Sequence, residues 1–289
     1  MQTNQQSSVR RLVESAILVA LASVLSLLKL AELPAGGSVT CASLLPILII
    51  AYRNGPVWGL GSGLVFSVVQ LLTGLSVFSW VTGWQSIVAV ALLDYIVAFA
   101  VSGLGGIFRK KERPQATALV YGALLVSLLR FLCHLISGAT VWVNLSIPDG
   151  AALAYSLLYN AAYMVPETII LVTAAFYLGS ILDFSYDVPR RFPAEQVQKP
   201  LRSILVFFAG LLPIAALVTD VALILPHLWA YNEETYKESF TLDYIAEVNW
   251  IAVAVVSGVA VLLSLVYFLF IDKKLRVDAP TETQESETV

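Results

Sequence analysis

The chain has 289 residues, of which 58% are hydrophobic and 13% charged, and its formal net charge is −3. A soluble domain has roughly 45–50% apolar and about 25% charged residues, so this composition excludes an ordinary soluble protein and predicts a polytopic membrane protein. The sequence has no basic stripe with interleaved aromatic residues, which argues against nucleic-acid binding.

Eight apolar segments approach or reach the length of about 20 residues that a helix needs to cross a bilayer. They are residues 12–30, 40–52, 57–74, 85–107, 117–138, 152–178, 203–225 and 249–271. The second segment is short and contains Pro46, so we expect it to be tilted or irregular against a cavity. Glu14 interrupts the start of the first segment and no small-residue cleavage site follows, so we expect a retained helix rather than a signal peptide.

Lysine and arginine residues occur mainly in alternate loops between these segments. If the N-terminus is cytoplasmic, nearly all of them fall on the cytoplasmic side, where such residues are enriched. The exceptions are Lys29, Arg130 and Lys237. The alternation holds only if the short second segment is counted, so it predicts an even number of spans with both termini in the cytoplasm.

A polar, proline-containing stretch divides the chain into two unequal parts. We expect a six-helix body at residues 1–180, a cytoplasmic linker at 181–202, a two-helix transmembrane appendage at 203–271 and a disordered cytoplasmic tail at 272–289. The predicted fold class is therefore an all-α polytopic membrane protein with a six-helix bundle and two additional helices.

The sequence lacks the motifs that are typical of several kinds of chemistry. No lysine is followed by serine or threonine, so the chain has no P-loop for ATP. His134 and His227 are the only histidines, and they do not form a paired metal-binding spacing. Cys41 and Cys133 are isolated in apolar segments, so we expect buried small side chains without a disulfide. We therefore expect no metal, no cofactor and no enzymatic activity.

Ionisable and aromatic residues nevertheless gather near the predicted outer ends of three segments. Arg130 and His134 are four residues apart and share one helix face. Ionisable groups at bilayer depth are rarely kept without a partner or a function. A carboxylate with aromatic faces suits a flat organic cation, and asparagine and tyrosine add directional hydrogen bonds. The remaining members are Asp94, Tyr95, Trp142, Tyr155, Ser156, Tyr159, Asn160, Tyr163 and Glu167.

Each member of this cluster also has a structural interpretation. Asp94 can pair with Arg130 as a bridge between helices, and His134 can be a buried histidine with its hydrogen bonds satisfied. The tyrosines at four-residue spacing can form a stripe at the membrane interface. For Glu167 we favour a capping or bridging role. One shared pocket, however, explains the polar ends of three helices with a single arrangement.

Five sequence runs occur along the body in a distinctive order. They are GGSVT, LLPILIIAYRNG, LLDYIVAFAVSGLGGIF, SLLRFLCHLISG and AYSLLYNAAYMVP. With these runs, residues 9–180 resemble the thiamine-specific substrate-binding component (S component) of energy-coupling-factor (ECF) vitamin transporters. The resemblance implies a protein of the bacterial cytoplasmic membrane that binds thiamine with high affinity from outside. It also implies uptake together with an ECF module of two cytoplasmic ATPases and a transmembrane coupling protein.

The resemblance further implies which residues contact the aminopyrimidine of thiamine. Asp94 stands where the family has an acidic ligand contact, and we expect it to hold the aminopyrimidine or the thiazolium charge. Tyr95 follows it as in the family. Tyr155 and Asn160 match a tyrosine and an asparagine that hydrogen-bond the pyrimidine.

Three residues of the fifth segment, and Trp142 shortly after it, match the rest of the family's site. His134 is expected on the thiazolium side, Gly138 leaves room for a ring, and Trp142 matches an aromatic residue that stacks on the ligand. Arg130 occupies a basic position facing the hydroxyethyl group or a phosphate. We expect Asp94 to balance Arg130 in the empty site and to engage the ligand cation in the occupied one.

Two further expectations concern a lid and a docking surface. The first external loop has no aromatic or acidic residue after Pro34, so Trp80 or Trp84 is the candidate lid, although either can be an interfacial anchor. Ala16 and Ala20 match the family's small-xxx-small docking pattern, which allows close helix approach in lipid.

The alternative function is a proton-coupled secondary transporter of thiamine or another small flat cationic vitamin. Asp94, Glu167 and His134 then form a proton relay, since intramembrane carboxylates and histidines serve this role in transporters.

Overall fold

The computed structural model describes residues 2–33, 36–110, 114–142, 152–193 and 244–271, together with isolated residues between 205 and 240. Its long helices are α1 (Gln2–Leu27), α2 (Leu45–Asn54), α3 (Pro56–Thr73), α4 (Trp84–Phe108), α5 (Gln115–Thr140), α6 (Ala152–Ile181) and α7 (Trp250–Ile271). Three antiparallel hairpins pair β1 (Lys29–Glu32) with β2 (Ser38–Thr40), β3 (Leu182–Asp183) with β4 (Arg190–Arg191), and β5 (Trp229–Asn232) with β6 (Lys237–Phe240).

Among the described residues, the five helices α3 to α7 are long and apolar enough to cross a membrane. The protein is therefore an all-α polytopic membrane protein with a few short strands. Helix α1 carries Arg10, Arg11 and Glu14 in its N-terminal half, and α2 has only ten residues, so neither belongs to these five. The predicted total of eight spans and the cytoplasmic position of both termini stay predictions.

The boundaries of the first two predicted segments were wrong. Helix α1 ends at Leu27, and Lys29–Glu32 form a strand instead of the last helical turn. The second helix begins at Leu45 rather than at residue 40, because residues 38–40 form the partner strand. Pro46 lies in the first turn of α2, where its missing N–H removes no helical hydrogen bond, so the helix is short but regular.

Helix α2 lies in the centre of the body. Every residue from Leu45 to Ala51 is buried. Glycines near the end of α4 allow this close packing: a Cβ on Gly106 would lie 2.2 Å from the carbonyl oxygen of Ala51, and one on Gly103 would lie 2.1 Å from the backbone of Gly59. The glycine-rich run of α4 thus serves to bring three helices into backbone contact.

Helix α4 changes its winding along its length. A widened, π-type turn spans Ala91–Val97, and a tighter 3-10 stretch spans Val101–Phe108. The widened turn contains Asp94 and Tyr95. Such turns are frequent at functional sites because they reorient side chains within an otherwise regular helix.

The C-terminal end of α2 is tied to two other elements by Arg53. Its guanidinium contacts the Glu14 carboxylate of α1. It also donates hydrogen bonds to the carbonyl oxygens of Phe184, Tyr186 and Asp187, at 2.7, 3.0 and 3.0 Å, in the segment after α6. We call this group the Arg53 cluster.

The predicted appendage is described only in part. The described residues between 205 and 224 are helical, whereas residues 194–202 of the predicted linker, residues 203 and 204 of the predicted appendage and the predicted tail at 272–289 lie outside the described residues. Ser264 of α7 donates a hydrogen bond to the Ala209 carbonyl at 2.9 Å, and Ser257 donates to Asp220. The two helices of the appendage are thus joined by polar contacts at two levels.

Both cysteines have free thiols, but the prediction that they are buried was wrong. Cys41 is exposed because it lies in the loop between β2 and α2 rather than inside a helix. Cys133 lies on α5 and is half-buried.

Candidate ligand-binding site

A cavity of about 240 Å3 lies between the β1–β2 hairpin and the facing ends of helices α3 to α6. All eight residues predicted to bind a ligand line it. They are Asp94, Tyr95, Arg130, His134, Gly138, Trp142, Tyr155 and Asn160. The structure thus brings together residues from three helices that are separated by as many as 66 positions in the sequence. Their contact with a ligand stays a prediction.

Asp94 is held by α5 through two hydrogen bonds. Its Oδ1 lies 2.9 Å from Nδ1 of His134, and its Oδ2 accepts a hydrogen bond from Ser137 Oγ at 2.6 Å. His134 and Ser137 are three residues apart and therefore lie on one helix face. The expected pair between Asp94 and Arg130 was wrong, because the widened turn of α4 sets Asp94 level with His134, one turn beyond Arg130.

Arg130 pairs instead with Glu167 of α6. Its Nη1 donates to Glu167 Oε2 at 2.9 Å, and both side chains are only 6% exposed. The guanidinium also lies over the Phe99 ring, 4.7 Å from its centroid. The second oxygen, Glu167 Oε1, accepts a hydrogen bond from Thr40 Oγ1 at 2.5 Å, and Thr40 Oγ1 is 2.8 Å from Ser43 Oγ. Glu167 therefore bridges α5 to the β1–β2 hairpin, in agreement with the bridging role favoured from sequence.

Three tyrosines of α6 form an aromatic wall along the cavity. Tyr155 and Tyr159 stack with ring centroids 5.8 Å apart, and Tyr163 meets Tyr159 edge-on at 5.7 Å. Tyr163 donates to Asn160 Oδ1 at 2.7 Å, while Asn160 Nδ2 donates to the Ser156 carbonyl at 2.8 Å. Asn160 Nδ2 also donates to Ser156 Oγ at 3.2 Å, so both amide hydrogens have protein acceptors and one lone pair of Oδ1 is left for a ligand.

Gly138 has a packing role that the sequence did not indicate. A Cβ there would lie 2.2 Å from Ser156 Oγ, so the glycine makes room for α6, and the room that it is expected to leave for a ring of the ligand stays a prediction. Ser156 in turn donates to the Leu135 carbonyl at 3.0 Å. Gly138 still lines the cavity, but the space beside it is occupied by protein.

Tyr95 fastens α4 to the loop after α3. Its hydroxyl donates to the Gly74 carbonyl at 3.1 Å, and its ring stacks on Phe78 at 5.9 Å. The candidate lid residues lie elsewhere: Trp80 is 61% exposed, Trp84 is 70% exposed, and neither lines the cavity in the structure. Their role as a lid stays a prediction.

The β1–β2 hairpin contributes residues that sequence reasoning missed. Gly37 and Thr40 line the cavity, and the Gly37 N–H donates to Tyr159 Oη at 3.0 Å. The run GGSVT carries a signal for this turn, since paired glycines mark tight connections, but the sequence pattern places it in the first external loop and predicts no strand there.

Two buried nitrogens of the cavity side chains have no hydrogen-bond partner among the described residues. They are His134 Nε2 and Arg130 Nε. Buried polar atoms are nearly always satisfied, so each unsatisfied one calls for an explanation, and a bound ligand or water supplies it. The described residues contain no cluster of three His, Cys, Asp or Glu side chains able to hold a metal ion.

The predicted docking residues Ala16 and Ala20 are both exposed on α1. The opposite face of the helix, with Ser15, Val19 and Ala22, is buried against the bundle. The small-residue face is therefore accessible in the structure, while its use for docking stays a prediction.

A profile of the thiamine transporter protein family matches residues 12–183, which is more than half of the chain. The chain belongs to this family. The resemblance predicted from the five runs is thereby confirmed. The match ends before the appendage, and residues 184–289 lie beyond it.

Two relatives in this family show how far the likeness extends. The thiamine transporter ThiT of Bacillus subtilis is 38% identical over 178 residues, covering 58% of this chain and 88% of that protein. ThiT of Lacticaseibacillus paracasei is 25% identical over 148 residues, covering 48% of this chain and 71% of that protein.

Proposed function

We propose that the protein binds thiamine from the outer side of the bacterial cytoplasmic membrane and carries out its uptake. The observation that supports this most strongly is the single cavity lined by all eight predicted residues, in a chain of the thiamine transporter family. The Bacillus subtilis relative is named a thiamine transporter, which also points to a transporter rather than an enzyme.

The chemistry of the cavity fits the two rings of thiamine. Asp94 offers a fixed carboxylate to the thiazolium cation or the aminopyrimidine, because His134 and Ser137 hold it in place. The stacked pair Tyr155 and Tyr159 offers aromatic faces for a flat cation. Asn160 Oδ1 offers an acceptor that can orient a heteroaromatic edge, because Tyr163 and Ser156 fix the orientation of the amide.

The energy for uptake comes, in this proposal, from a separate ECF module with two cytoplasmic ATPases and a transmembrane coupling protein. The chain itself has no P-loop sequence. The exposed face of α1 with Ala16 and Ala20 is the proposed contact with the coupling protein, since small residues allow helices to approach closely in lipid.

Titration of the purified protein in detergent tests the binding step. Trp142 lines the cavity, so thiamine stacking there should quench tryptophan fluorescence in a saturable manner. A phenylalanine at Trp142 removes the reporter, and calorimetry on that variant separates loss of signal from loss of binding. Saturable binding of another vitamin, with none for thiamine, would overturn the assignment.

A second candidate, proton-coupled secondary transport, is favoured by one observation. The carboxylate of Asp94 contacts the imidazole of His134 at 2.9 Å inside a membrane bundle, and such pairs serve as proton relays in transporters. Uptake into vesicles that contain this chain alone decides between the two. Accumulation driven by a proton gradient supports the secondary transporter, and accumulation that requires the ATPases and the coupling protein supports the ECF system.

A further inference from the structure

We propose that Glu167 sets the charge selectivity of the cavity: by neutralising Arg130, it makes the site accept the thiamine cation and discriminate against phosphorylated thiamine. This inference rests on the proposed function and names a specificity-determining residue for the same site. Glu167 belonged to the predicted cluster but was given a capping or bridging role and not a binding one, and the structure places it in the lining.

The charged side chains of the lining sum to a single negative charge. Lys29 Nζ pairs with Glu32 Oε1 at 2.6 Å, and Arg130 pairs with Glu167 at 2.9 Å, so each pair is neutral. Asp94 remains, with the neutral hydroxyl of Ser137 and the His134 imidazole as its partners. Apart from the imidazole, the charged side chains of the described lining carry a net charge of −1, which matches one monocation.

Without Glu167, Arg130 would carry a positive charge with no counter-charge beside it. A guanidinium in a cavity wall is the side chain best suited to bind a phosphate, because it presents several donors in a planar fork. In the structure, Nη1 of Arg130 donates to Glu167, one face of the guanidinium lies over Phe99, and Nε has no hydrogen-bond partner among the described residues. The Glu167 carboxylate is therefore the element that repels a phosphate from this otherwise favourable donor.

The position of Glu167 is fixed by two contacts within the protein. One carboxylate oxygen accepts from Arg130 and the other accepts from Thr40 of β2. The side chain is 6% exposed, so little water screens its charge. A phosphate that approached Arg130 would have to displace a carboxylate held from two sides, at the cost of a buried unpaired charge.

The test compares dissociation constants for thiamine and thiamine monophosphate, measured by calorimetry on full-length protein at fixed ionic strength. The informative quantity is the ratio of the monophosphate constant to the thiamine constant. Glu167→Gln keeps the size of the side chain and removes its charge, so the ratio should fall about tenfold or more. Glu167→Asp keeps the charge, and its ratio should stay within about threefold of wild type.

Two further variants test the same charge compensation by changing Arg130. Arg130→Gln leaves the Glu167 carboxylate without its counter-charge, so the ratio should rise above that of wild type. The double variant with glutamine at both positions has the same net charge as wild type, and its ratio should return toward the wild-type value. These variants keep the inference testable even if Glu167→Gln alone does not fold.

The failure of this inference is distinct from failure of the proposed function. Thiamine binding by wild type, with equal losses of both affinities in Glu167→Gln, would show that Glu167 is only a structural bridge. An equal fall of the ratio in Glu167→Asp would show that geometry, and not charge, is decisive. Absence of thiamine binding by wild type would overturn the proposed function itself, together with the inference.

Discussion

Two arginine–glutamate pairs lie near the two ends of α2, and they differ in how fully the arginine is used. Arg53, at the C-terminal end, contacts the Glu14 carboxylate and three backbone carbonyls. Arg130, near the other end, donates to one acceptor, Glu167, and lies over the Phe99 ring. The buried Nε of each arginine makes no hydrogen bond among the described residues, but that of Arg53 contacts the Glu14 carboxylate. The first arrangement ties three chain segments together, whereas the second leaves donor capacity at a cavity wall.

Burial alone does not distinguish a structural charge from a functional one. Arg53 and Arg130 are similarly buried, at 8% and 6% side-chain exposure. What separates them is the number of acceptors and the neighbouring space. A buried charge with many protein acceptors holds the fold, and one with few acceptors beside a cavity is placed to meet a ligand.

The largest effect is expected when the Arg53 cluster is broken. Arg53→Met removes the charge and leaves Glu14 and three carbonyls without their donor, which should cost about 3 kcal/mol of stability. The measurement is the midpoint of thermal unfolding in detergent. Arg10→Met is the matched control, because its pair with Asp187 is exposed and should contribute little.

Unfolding of Arg53→Met at the wild-type temperature would contradict the stabilising role of Arg53. Lower thiamine affinity in folded Arg53→Met would contradict the separation of Arg53 from binding, because the Arg53 cluster does not line the cavity. In either case, the end of α2 would have to be treated as part of the binding machinery.

The second effect is expected at Asp94 in the cavity, and it concerns thiamine binding rather than folding. Asp94→Asn keeps the shape and one acceptor oxygen but removes the charge of the carboxylate that His134 and Ser137 hold. Thiamine affinity should fall by about 2 kcal/mol, or roughly thirtyfold, while the unfolding temperature changes little. Calorimetry and thermal unfolding on the same sample measure both. A wild-type affinity in this variant would remove Asp94 from the proposed site.

An intermediate effect on stability and binding is expected at Gly138, which lines the cavity and also packs against α6. Gly138→Ala places a Cβ against Ser156 Oγ, so α5 and α6 must separate, which should cost about 2 kcal/mol of stability and weaken thiamine binding. Pairing it with Ser156→Gly removes the opposing atom. Recovery in the double variant would locate the effect at this contact, and a lack of recovery would indicate that Gly138 acts through the ligand.

The residues that line the candidate site could be predicted from sequence, but the hydrogen-bonded pairs among them could not. Polar residues at the outer ends of α4, α5 and α6 predicted one pocket, and all eight chosen residues line one cavity. The sequence could not show that Asp94 meets His134 rather than Arg130. That choice depends on the axial offset between two helices, which a widened turn in α4 shifts. Glu167 was read correctly as a bridge, but its partners lie 37 and 127 positions away, beyond any helical periodicity.

The long apolar helices were predictable from sequence, whereas the boundaries next to short strands were not. The predicted segments at 57–74, 85–107, 117–138 and 249–271 agree with α3, α4, α5 and α7 to within two residues at each end. The first segment failed because Lys29–Glu32 pairs with Ser38–Thr40, and a hairpin of so few residues has no recognisable apolar pattern.

The smallest expected effect tests how this hairpin is joined to the binding end. Tyr159→Phe removes the hydroxyl that accepts the Gly37 N–H and keeps the ring that stacks on Tyr155. Loss of one such hydrogen bond costs about 1 kcal/mol, so thiamine should dissociate about fivefold faster in a stopped-flow measurement. Tyr186→Phe is the control, because Tyr186 is exposed and lies outside the cavity lining. An unchanged dissociation rate in Tyr159→Phe would leave Thr40 and Glu167 as the contact that holds the hairpin. The buried Arg130–Glu167 pair would then fix both the charge of the cavity and its closure.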